Sequence, residues 1–349
     1  ETVDKLTHTY VEKSDLVPTK VIAGEIDMQE RFIAIAQYPL LKENEQKGGY
    51  RVLLWKPTLG VDFQVMYNLS FDADPVIAKY MNDKKFRQAM SVAINRDDFN
   101  RVIYLGKGQP RQATVIDSSP DFKPEYATRY VKYDVAQAKK WLDEIGLDKK
   151  DKDGFRIAPE NNQTLVLTLY YAEMGDYPQG AQLLIEYWKA VGIKVVPKGE
   201  ERTIHYNRMD ANELQLSLWG MDGAIYPFWL DYAYWIIPWI GGSNRLGRAY
   251  GVYRDTGGKS GKKPEGEVAK ALDIFDQALV EVDDKKRVAL ASQVLDIASE
   301  NVWTTGIVLV GQAPVVVKSN MLNVPDVGIS DWQFRTPKNT KPEQYFFKK

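Results

Sequence analysis

Apolar residues recur at helical spacing through much of the chain. In residues 83–94 they return every three or four positions, which predicts a helix with one buried face. Asp134 can cap another such helix, and Gly146 can end it. On this basis, helices are predicted at residues 15–23, 31–43, 83–94, 96–105, 134–146, 180–191, 265–282 and 285–301.

Short runs rich in β-branched and aromatic residues predict the strands. Residues 165–171 and 193–196 are two such runs, and they enclose the helix predicted at 180–191. A strand, a crossover helix and a second strand form a βαβ unit with parallel pairing and a right-handed crossover. The predicted fold class is therefore α/β. The other strands are predicted at residues 6–11, 25–28, 50–55, 62–68, 214–219, 305–310 and 314–317.

The composition is that of an ordinary globular protein. Hydrophobic residues make up 44% and charged residues 27% of the 349 residues, which predicts a packed core and a length of roughly two domains. Lys and Arg total 46 against 47 Asp and Glu, giving a formal net charge of -1. Because nucleic acid is held mainly through its phosphates, no nucleic-acid partner is expected.

Cysteine is absent from the sequence. This excludes disulfides, Cys-ligated zinc and thiol catalysis, and it suits a protein exported to an oxidising space. Residues 1–10 are polar, so we expect that a signal segment or a lipid-anchor Cys was removed or not included. A transmembrane helix within residues 214–242 is rejected, because Asp222 and Asp231 would each cost about 2.5–3.5 kcal/mol near the bilayer centre.

Enzyme motifs have little support in the sequence. His8 and His205 are the two histidines, and neither has an acidic residue at metal-ligand spacing. Residues 257–262 lack the spacing and the Ser or Thr of a phosphate loop. Asp222 and Asp231 could form a glycosidase pair, but nothing marks either as the proton donor. No catalytic residue and no cofactor are assigned, and the chain is not expected to be an enzyme.

Residues 149–160 approach the pattern of a calcium-binding loop. Asp151, Asp153 and Glu160 occupy three of the liganding places, but Lys149 stands where the first carboxylate belongs. A tight turn at Asp153 and the following glycine is the favoured alternative, and no metal is assigned.

Several motifs follow one another along the chain. The most specific is FRQAMSVAINR at residues 86–96, followed by YLGKG at 104–108. AGEID at 23–27 precedes them, and WGMD at 219–222 comes later. In this order they resemble the oligopeptide, dipeptide and nickel class of extracellular solute-binding proteins, and the match spans nearly all of the chain.

This resemblance implies a periplasmic-binding-protein-like fold of class II, cluster C type. It consists of an α/β lobe with a mixed sheet flanked by helices, plus the remnant of a second lobe. Because family members are usually longer at the amino terminus, residues 1–60 are expected to be a remnant of the first lobe. Residues 61–310 would form the second, carboxy-terminal lobe, and residues 311–349 would return to the first.

Aromatic residues concentrate between residues 218 and 242, which hold four of the nine Trp. Flat aromatic faces stack on sugar rings or accept apolar peptide side chains, so this interval could be the floor of a ligand-binding cleft. Packing in a buried core is the alternative. The candidate ligand-binding residues are Trp219, Asp222, Tyr226, Trp229, Trp235 and Trp239.

The ligand class follows from the resemblance. Asp222 matches the place where an Asp of peptide-binding relatives pairs with the peptide's amino terminus. The continuation at 223–225 departs from that of peptide binders, and YRDTGG at 253–258 is similar to a branch that includes oligosaccharide binders. An oligosaccharide is therefore favoured slightly over an oligopeptide. Nickel is the least favoured ligand because His is scarce.

The resemblance further implies the substrate-binding subunit of an ABC importer, which closes two lobes about a hinge and presents the ligand to membrane permease subunits. The expected location is periplasmic or extracellular, with membrane anchoring as a lipoprotein as one form. The expected state is a monomer. The alternatives are a peptide-specific binder and an interaction module that has lost ligand binding.

Overall fold

The computed structural model describes residues 5–11 and 16–348, and its elements are numbered here in chain order. The helices are α1 (Val17–Ile22), α2 (Tyr38–Glu43), α3 (Glu45–Gly48), α4 (Pro75–Asn82), α5 (Lys84–Val92), α6 (Arg96–Tyr104), α7 (Pro124–Thr128), α8 (Val135–Glu144), α9 (Tyr177–Lys189), α10 (Arg202–Asp210), α11 (Phe228–Asp231), α12 (Arg248–Asp255), α13 (Gly266–Val280) and α14 (Asp284–Asn301). The strands are β1 (Met28–Gln29), β2 (Tyr50–Trp55), β3 (Val61–Tyr67), β4 (Gln109–Pro110), β5 (Ile157–Ala158), β6 (Gln163–Thr164), β7 (Val166–Ala172), β8 (Lys194–Glu200), β9 (Leu216–Met221), β10 (Thr304–Leu309), β11 (Ala313–Lys318), β12 (Met321–Leu322) and β13 (Phe346–Phe347).

The chain divides into two compact units. Unit 1 comprises Glu1–Thr58, Arg101–Gln109 and Val310–Lys349, and unit 2 comprises Leu59–Asn100 and Pro110–Leu309. The two-residue strand β4 lies at one of the boundaries.

Unit 1 contains an antiparallel sheet in which β11 lies between β1 and β2. Successive side chains of β11 point to opposite faces. Val316 packs in one apolar cluster with Tyr50, whereas Val315 and Val317 pack in another with Trp55. This unit is therefore held together by two small cores, one on each face of β11.

Unit 2 is built on a mixed sheet in which five strands have the order β10–β3–β9–β7–β8. Strands β10, β3 and β9 pair antiparallel, and β7 pairs in parallel with both β9 and β8. Helix α9 connects β7 to β8 and packs against both. The predicted βαβ unit and its parallel pairing are confirmed.

Two arginines of unit 2, Arg87 on α5 and Arg96 at the start of α6, are buried. Arg87 donates from Nε to the carbonyl of Asn301 at 2.9 Å and from Nη1 to the carbonyl of Met81 at 2.7 Å. Arg96 donates from Nε to the carbonyl of Gly306 at 2.9 Å. Burial lowers the pKa of Arg87 to about 10 and that of Arg96 to about 9. These guanidiniums join helices to distant backbone segments.

Most predicted elements are confirmed to within a few residues, but the helix predicted at 31–43 is an α-helix only over Tyr38–Glu43. Residues 6–11 form no strand, and residues 12–15, where a helix was predicted to start, lie outside the described residues. Helices α3, α4, α7, α10, α11 and α12 were not predicted. Helix α10 buries only His205 and Met209, so its sequence shows no continuous apolar stripe.

In the part of the chain that the structure describes, no helix is both long and apolar enough to cross a lipid bilayer.

Candidate functional site

The candidate site lies where three parallel strands of unit 2 end. Tyr177 begins α9, which follows β7, and Arg202 begins α10, which follows β8. Trp219 stands near the end of β9, which is parallel to β7. In open α/β sheets, ligands bind in the crevice outside the carboxyl ends of the strands. The topology therefore brings these segments together at the edge where a ligand site is expected.

Three rings surround the indole of Trp219, which is only 7% exposed. The ring centroids of Tyr177 and Tyr206 lie 5.9 and 5.8 Å from it, both in inclined arrangements. The imidazole of His205 is stacked at 6.0 Å with an interplanar angle of 16°. Tyr177 and Tyr206 remain partly exposed, so this aromatic group is accessible at its margin.

The guanidinium of Arg245 lies inside this aromatic group. Its central carbon is 4.2 Å from the ring centroid of Trp219, 5.2 Å from that of Tyr206 and 5.5 Å from that of Trp235. Nε donates to Nε2 of His205 at 3.3 Å. Arg245 is 2% exposed, and its Nη2 is buried with no hydrogen-bond partner among the described residues. Burial lowers the pKa of Arg245.

His205 is buried in its neutral form. Burial, reinforced by the charge of Arg245, lowers the pKa of His205 to about 3. Its Nε2 lies 3.2 Å from Oγ of Ser217 and accepts from Arg245, so the ring proton belongs on Nδ1. Nδ1 lies 3.3 Å from Oε1 of Glu200, without the geometry of a hydrogen bond. The other oxygen of Glu200 accepts from Nε of Arg208 at 2.8 Å.

A second guanidinium, that of exposed Arg202, reaches the same rings. Its central carbon lies 5.5 Å from the ring centroid of Trp219 and 5.6 Å from that of Tyr206. Burial raises the pKa of Tyr206, but the hydrogen bond from Arg202 and the charge of Arg245 outweigh it, so the pKa is lowered. The guanidiniums of Arg202 and Arg245 thus both face the ring of Trp219. Positive charge therefore concentrates beside Trp219.

Asp222 supplies the opposite charge nearby and is half-buried. Burial, with the charge of Asp222 as the next cause, raises the pKa of both Tyr177 and Tyr234. The positive charge of Arg245 acts to lower the pKa of the same two tyrosines. Acidic and basic groups thus flank one set of aromatic side chains. We call Trp219, Tyr177, His205, Tyr206, Trp235, Tyr234, Arg202, Arg245 and Asp222 the Trp219 cluster.

Two of the predicted site residues, Trp229 and Trp239, pack against Phe275 and not against Trp219. The ring centroids of Trp229 and Trp239 are 6.2 and 5.3 Å from that of Phe275 on α13. Trp229 is buried and donates from Nε1 to Oδ2 of Asp121 at 2.6 Å. Burial raises the pKa of Asp121. The interior packing of Trp229 agrees with the alternative of a buried core for this part of the aromatic segment.

Tyr226 occupies a third location. Its hydroxyl donates to Oδ1 of Asp284 at 2.8 Å and accepts from Nε of Arg287 at 2.7 Å. Both partners lie on the first turns of α14. The six predicted site residues therefore fall into three places, and Trp219, Asp222 and Trp235 are the ones that share neighbours.

The predicted site residues did not include six members of the Trp219 cluster: Tyr177, Arg202, His205, Tyr206, Tyr234 and Arg245. Tyr234 lies in the aromatic-rich interval 218–242, whereas the other five lie in segments separated from Trp219 along the chain, and no motif marks them. The one available signal was that His205 is one of only two histidines.

The loop considered for calcium forms a turn. Asp151 Oδ1 accepts from the backbone N–H groups of Asp153 and Phe155, both at 2.9 Å. The carboxylate of Glu160 pairs with Lys79. Among the described residues, no group of three His, Cys, Asp or Glu side chains is arranged to hold a metal. The tight turn predicted as the alternative is the observed structure.

The mixed sheet of unit 2, with parallel strands at one side and flanking helices, defines an α/β fold of the periplasmic-binding-protein type. Residues 1–237 match the family described as bacterial extracellular solute-binding proteins, family 5 Middle. The chain belongs to this family. The resemblance seen in the sequence motifs and the predicted fold class are both confirmed.

Similar proteins agree with this assignment. A probable ABC transporter-binding protein of Deinococcus radiodurans is 31% identical over 134 residues, which cover 38% of this chain and 22% of that protein. The structure of the oligopeptide-binding protein OppA is 33% identical with a TM-score of 0.72, covering 98% of this chain and 56% of OppA.

A further structure is similar in fold alone. The periplasmic binding protein MelB from Agrobacterium fabrum C58, in complex with stachyose, has a TM-score of 0.78 at 16% identity. The alignment covers 97% of this chain and 51% of MelB. The chain therefore spans about half the length of the solved structures that it matches.

Proposed function

We propose that this chain is the ligand-holding part of an extracellular substrate-binding protein that serves an ABC importer, and that it is not an enzyme. Membership of the solute-binding family supports this, and the Deinococcus relative is described as a probable ABC transporter-binding protein. The observation that carries the proposal is the Trp219 cluster, whose aromatic faces and opposite charges stand at the carboxyl ends of three parallel strands.

The proposed architecture follows the family. Unit 2 corresponds to the second, carboxy-terminal lobe, and unit 1 to the incomplete first lobe. In the complete protein, two lobes would close about a hinge, exclude water from the ligand and present the closed form to permease subunits. The protein would act as a monomer in the periplasm or outside the cell, with a lipid anchor as one form of attachment.

An oligopeptide is the first candidate ligand. The similarity to OppA, at 33% identity over 98% of this chain, supports it. In this proposal, Asp222 pairs with the amino terminus of the peptide, because a carboxylate facing an ammonium group is a strong directional anchor. The proposal thus reverses the slight preference for oligosaccharide that the resemblance of residues 253–258 indicated.

A neutral oligosaccharide is the second candidate. The fold likeness to the stachyose complex of MelB and the flat faces of the Trp219 cluster favour it. A structural or interaction module without ligand binding would lack any reason to place charged groups beside half-buried rings, and we place it last.

Titration calorimetry of the chain with di-, tri- and tetrapeptides and with cello- and manno-oligosaccharides tests the proposal. We expect peptides to bind, and Trp219→Ala to weaken binding about tenfold or more because a stacking face is lost. Trp229→Phe, which changes a tryptophan outside the Trp219 cluster, is the matched control and should leave affinity unchanged. Unchanged affinity in Trp219→Ala would disprove the assignment of the site to the Trp219 cluster. Binding of oligosaccharides without binding of peptides would disprove the oligopeptide as the ligand.

A further inference from the structure

We propose that the ligand carries a carboxylate that pairs with Arg245, and that His205 is the positioning residue for this guanidinium. The inference rests on the proposed function, since it names a chemical group of the ligand held by the Trp219 cluster. Neither Arg245 nor His205 lies in the motifs through which the chain resembles its family.

The donors of Arg245 are only partly used. Nε donates to His205 at 3.3 Å, and Nη1 has a long contact of 3.4 Å with the carbonyl of Ser243. Nη2 is buried and makes no hydrogen bond among the described residues, while the Tyr206 hydroxyl lies close enough to the guanidinium to oppose the lowering of the Arg245 pKa by burial. A guanidinium presents its donors in a planar fork that matches the two oxygens of a carboxylate. The free part of this fork therefore fits an acidic group better than a hydroxyl.

His205 fixes the guanidinium from the other side. Its Nε2 accepts from Arg245 Nε at 3.3 Å and lies 3.2 Å from Ser217 Oγ. This requires the proton on Nδ1, the nitrogen that faces Glu200, which is itself held by Arg208. With the proton on Nε2, the ring would present a donor to a donor. The acceptor Nε2 of His205 thus sets the orientation of Arg245.

The charges around the rings favour the same ligand chemistry. Arg202 brings a second, exposed guanidinium to within 5.5 Å of the Trp219 ring centroid, so the cluster attracts anions before a ligand reaches Arg245. Asp222 carries the opposite charge, which raises the pKa of Tyr177 and Tyr234. A ligand with an ammonium group toward Asp222 and a carboxylate toward Arg245 would satisfy both.

A carboxylate can belong to a peptide or to a sugar acid, so the test uses two pairs of probes. Calorimetry compares trialanine with its C-terminal amide, and trigalacturonate with its methyl ester, on the 349-residue chain. We expect the acid to bind about tenfold or more tightly than the neutral partner in the pair that binds, because charge-assisted hydrogen bonds are lost in the neutral form.

Variants assign this preference to residues. Arg245→Met should abolish it, whereas Arg248→Met removes an equal charge outside the Trp219 cluster and should preserve it. His205→Phe should reduce the preference, and His205→Gln, which keeps an acceptor, should restore most of it. A merely structural role of His205 would change stability without changing the ratio of the two affinities.

The outcomes separate the two proposals. If peptides bind but acid and amide bind equally well, the carboxylate inference is overturned and the proposed function stands. If Arg248→Met loses the preference as fully as Arg245→Met, the assignment to Arg245 is overturned. If no probe binds, both the proposed function and the carboxylate inference are overturned. The acid-to-neutral comparison uses the unchanged protein, so a variant that fails to fold does not affect it.

Discussion

Arg96 and Arg245 are both buried in unit 2, yet their surroundings differ. Arg96 donates to the carbonyl oxygens of Gly306, Ser91 and Val131 at 2.9, 2.9 and 3.0 Å. Arg245 meets three aromatic faces, one neutral imidazole and one carbonyl at 3.4 Å. The first guanidinium joins separate backbone segments, whereas the second is held beside rings with part of its hydrogen-bonding capacity unused.

The magnitudes make this difference meaningful. Taking a guanidinium out of water costs several kcal/mol, and each hydrogen bond to a charged group returns about 1.5–3 kcal/mol. Several such bonds offset the burial of Arg96. A buried cation–π contact contributes roughly 0.5–2 kcal/mol, so the rings around Arg245 offset its burial less completely. A buried arginine that is poorly satisfied is a candidate for ligand contact, and a well-satisfied one is structural.

The largest expected effect is that of Arg96→Met on stability. The substitution leaves three carbonyl oxygens without their donor, so we expect the free energy of unfolding to fall by about 3–5 kcal/mol. Arg245→Met is the matched control. A flexible thioether packs well among aromatic rings, and we expect a change within about 1 kcal/mol. Urea denaturation measures both, and equal losses would show that the two arginines have the same role.

The second effect concerns pH. The pKa of His205 is about 3 in the folded chain and about 6.5 when unfolded, so the unfolded state binds the extra proton between these values. The contribution of neutral His205 to the free energy of unfolding is therefore full above pH 6.5. As the pH falls from 6.5 to 4, the free energy of unfolding decreases by about 3 kcal/mol.

Comparison of variants separates the contribution of His205 to the pH dependence of stability from that of the carboxylates. His205→Gln should flatten the slope of unfolding free energy against pH in this window, because the titrating ring beside Arg245 and Glu200 is removed. Exposed His8→Gln should leave the slope as it is. Parallel pH profiles for the unchanged protein and His205→Gln would disprove the neutral, buried state of this histidine.

The smallest effect separates the two groups of tryptophans. Trp229→Phe removes the donor to the buried carboxylate of Asp121, and we expect a loss of about 2 kcal/mol in thermal or urea unfolding. Trp219→Phe keeps an aromatic face toward Arg245 and should cost about 1 kcal/mol or less. The reverse order would place Trp219 in the structural core and Trp229 among the functional candidates.

Much of the fold of unit 2 could be predicted from local pattern. The apolar stripe and the Asp134 cap predicted α8, and in the structure the Asp134 carboxylate accepts from the backbone N–H of Gln137 at 2.8 Å. The apolar runs predicted β7 and β8 with α9 between them. Helix α10 was not predicted because few of its side chains are buried, so its periodic pattern of apolar residues is weak.

The site was harder to predict for a different reason. Trp219 and Trp235 were found because aromatic residues cluster in the sequence, but Trp229 and Trp239 belong to the same cluster and pack around Phe275 instead. Arg245 is indistinguishable in sequence from a surface arginine. Its burial and its contact with His205 arise only when the segment before α12 is brought against α10 in three dimensions.

The ends of β7, β8 and β9 have an evolutionary consequence. The segments that leave these strands carry the side chains of the Trp219 cluster, while the strands and α9 beneath them provide the scaffold. Insertions or replacements in such segments leave the paired backbone untouched. A lineage could therefore change the proposed ligand by substituting a few residues in these segments, while the sheet stays the same.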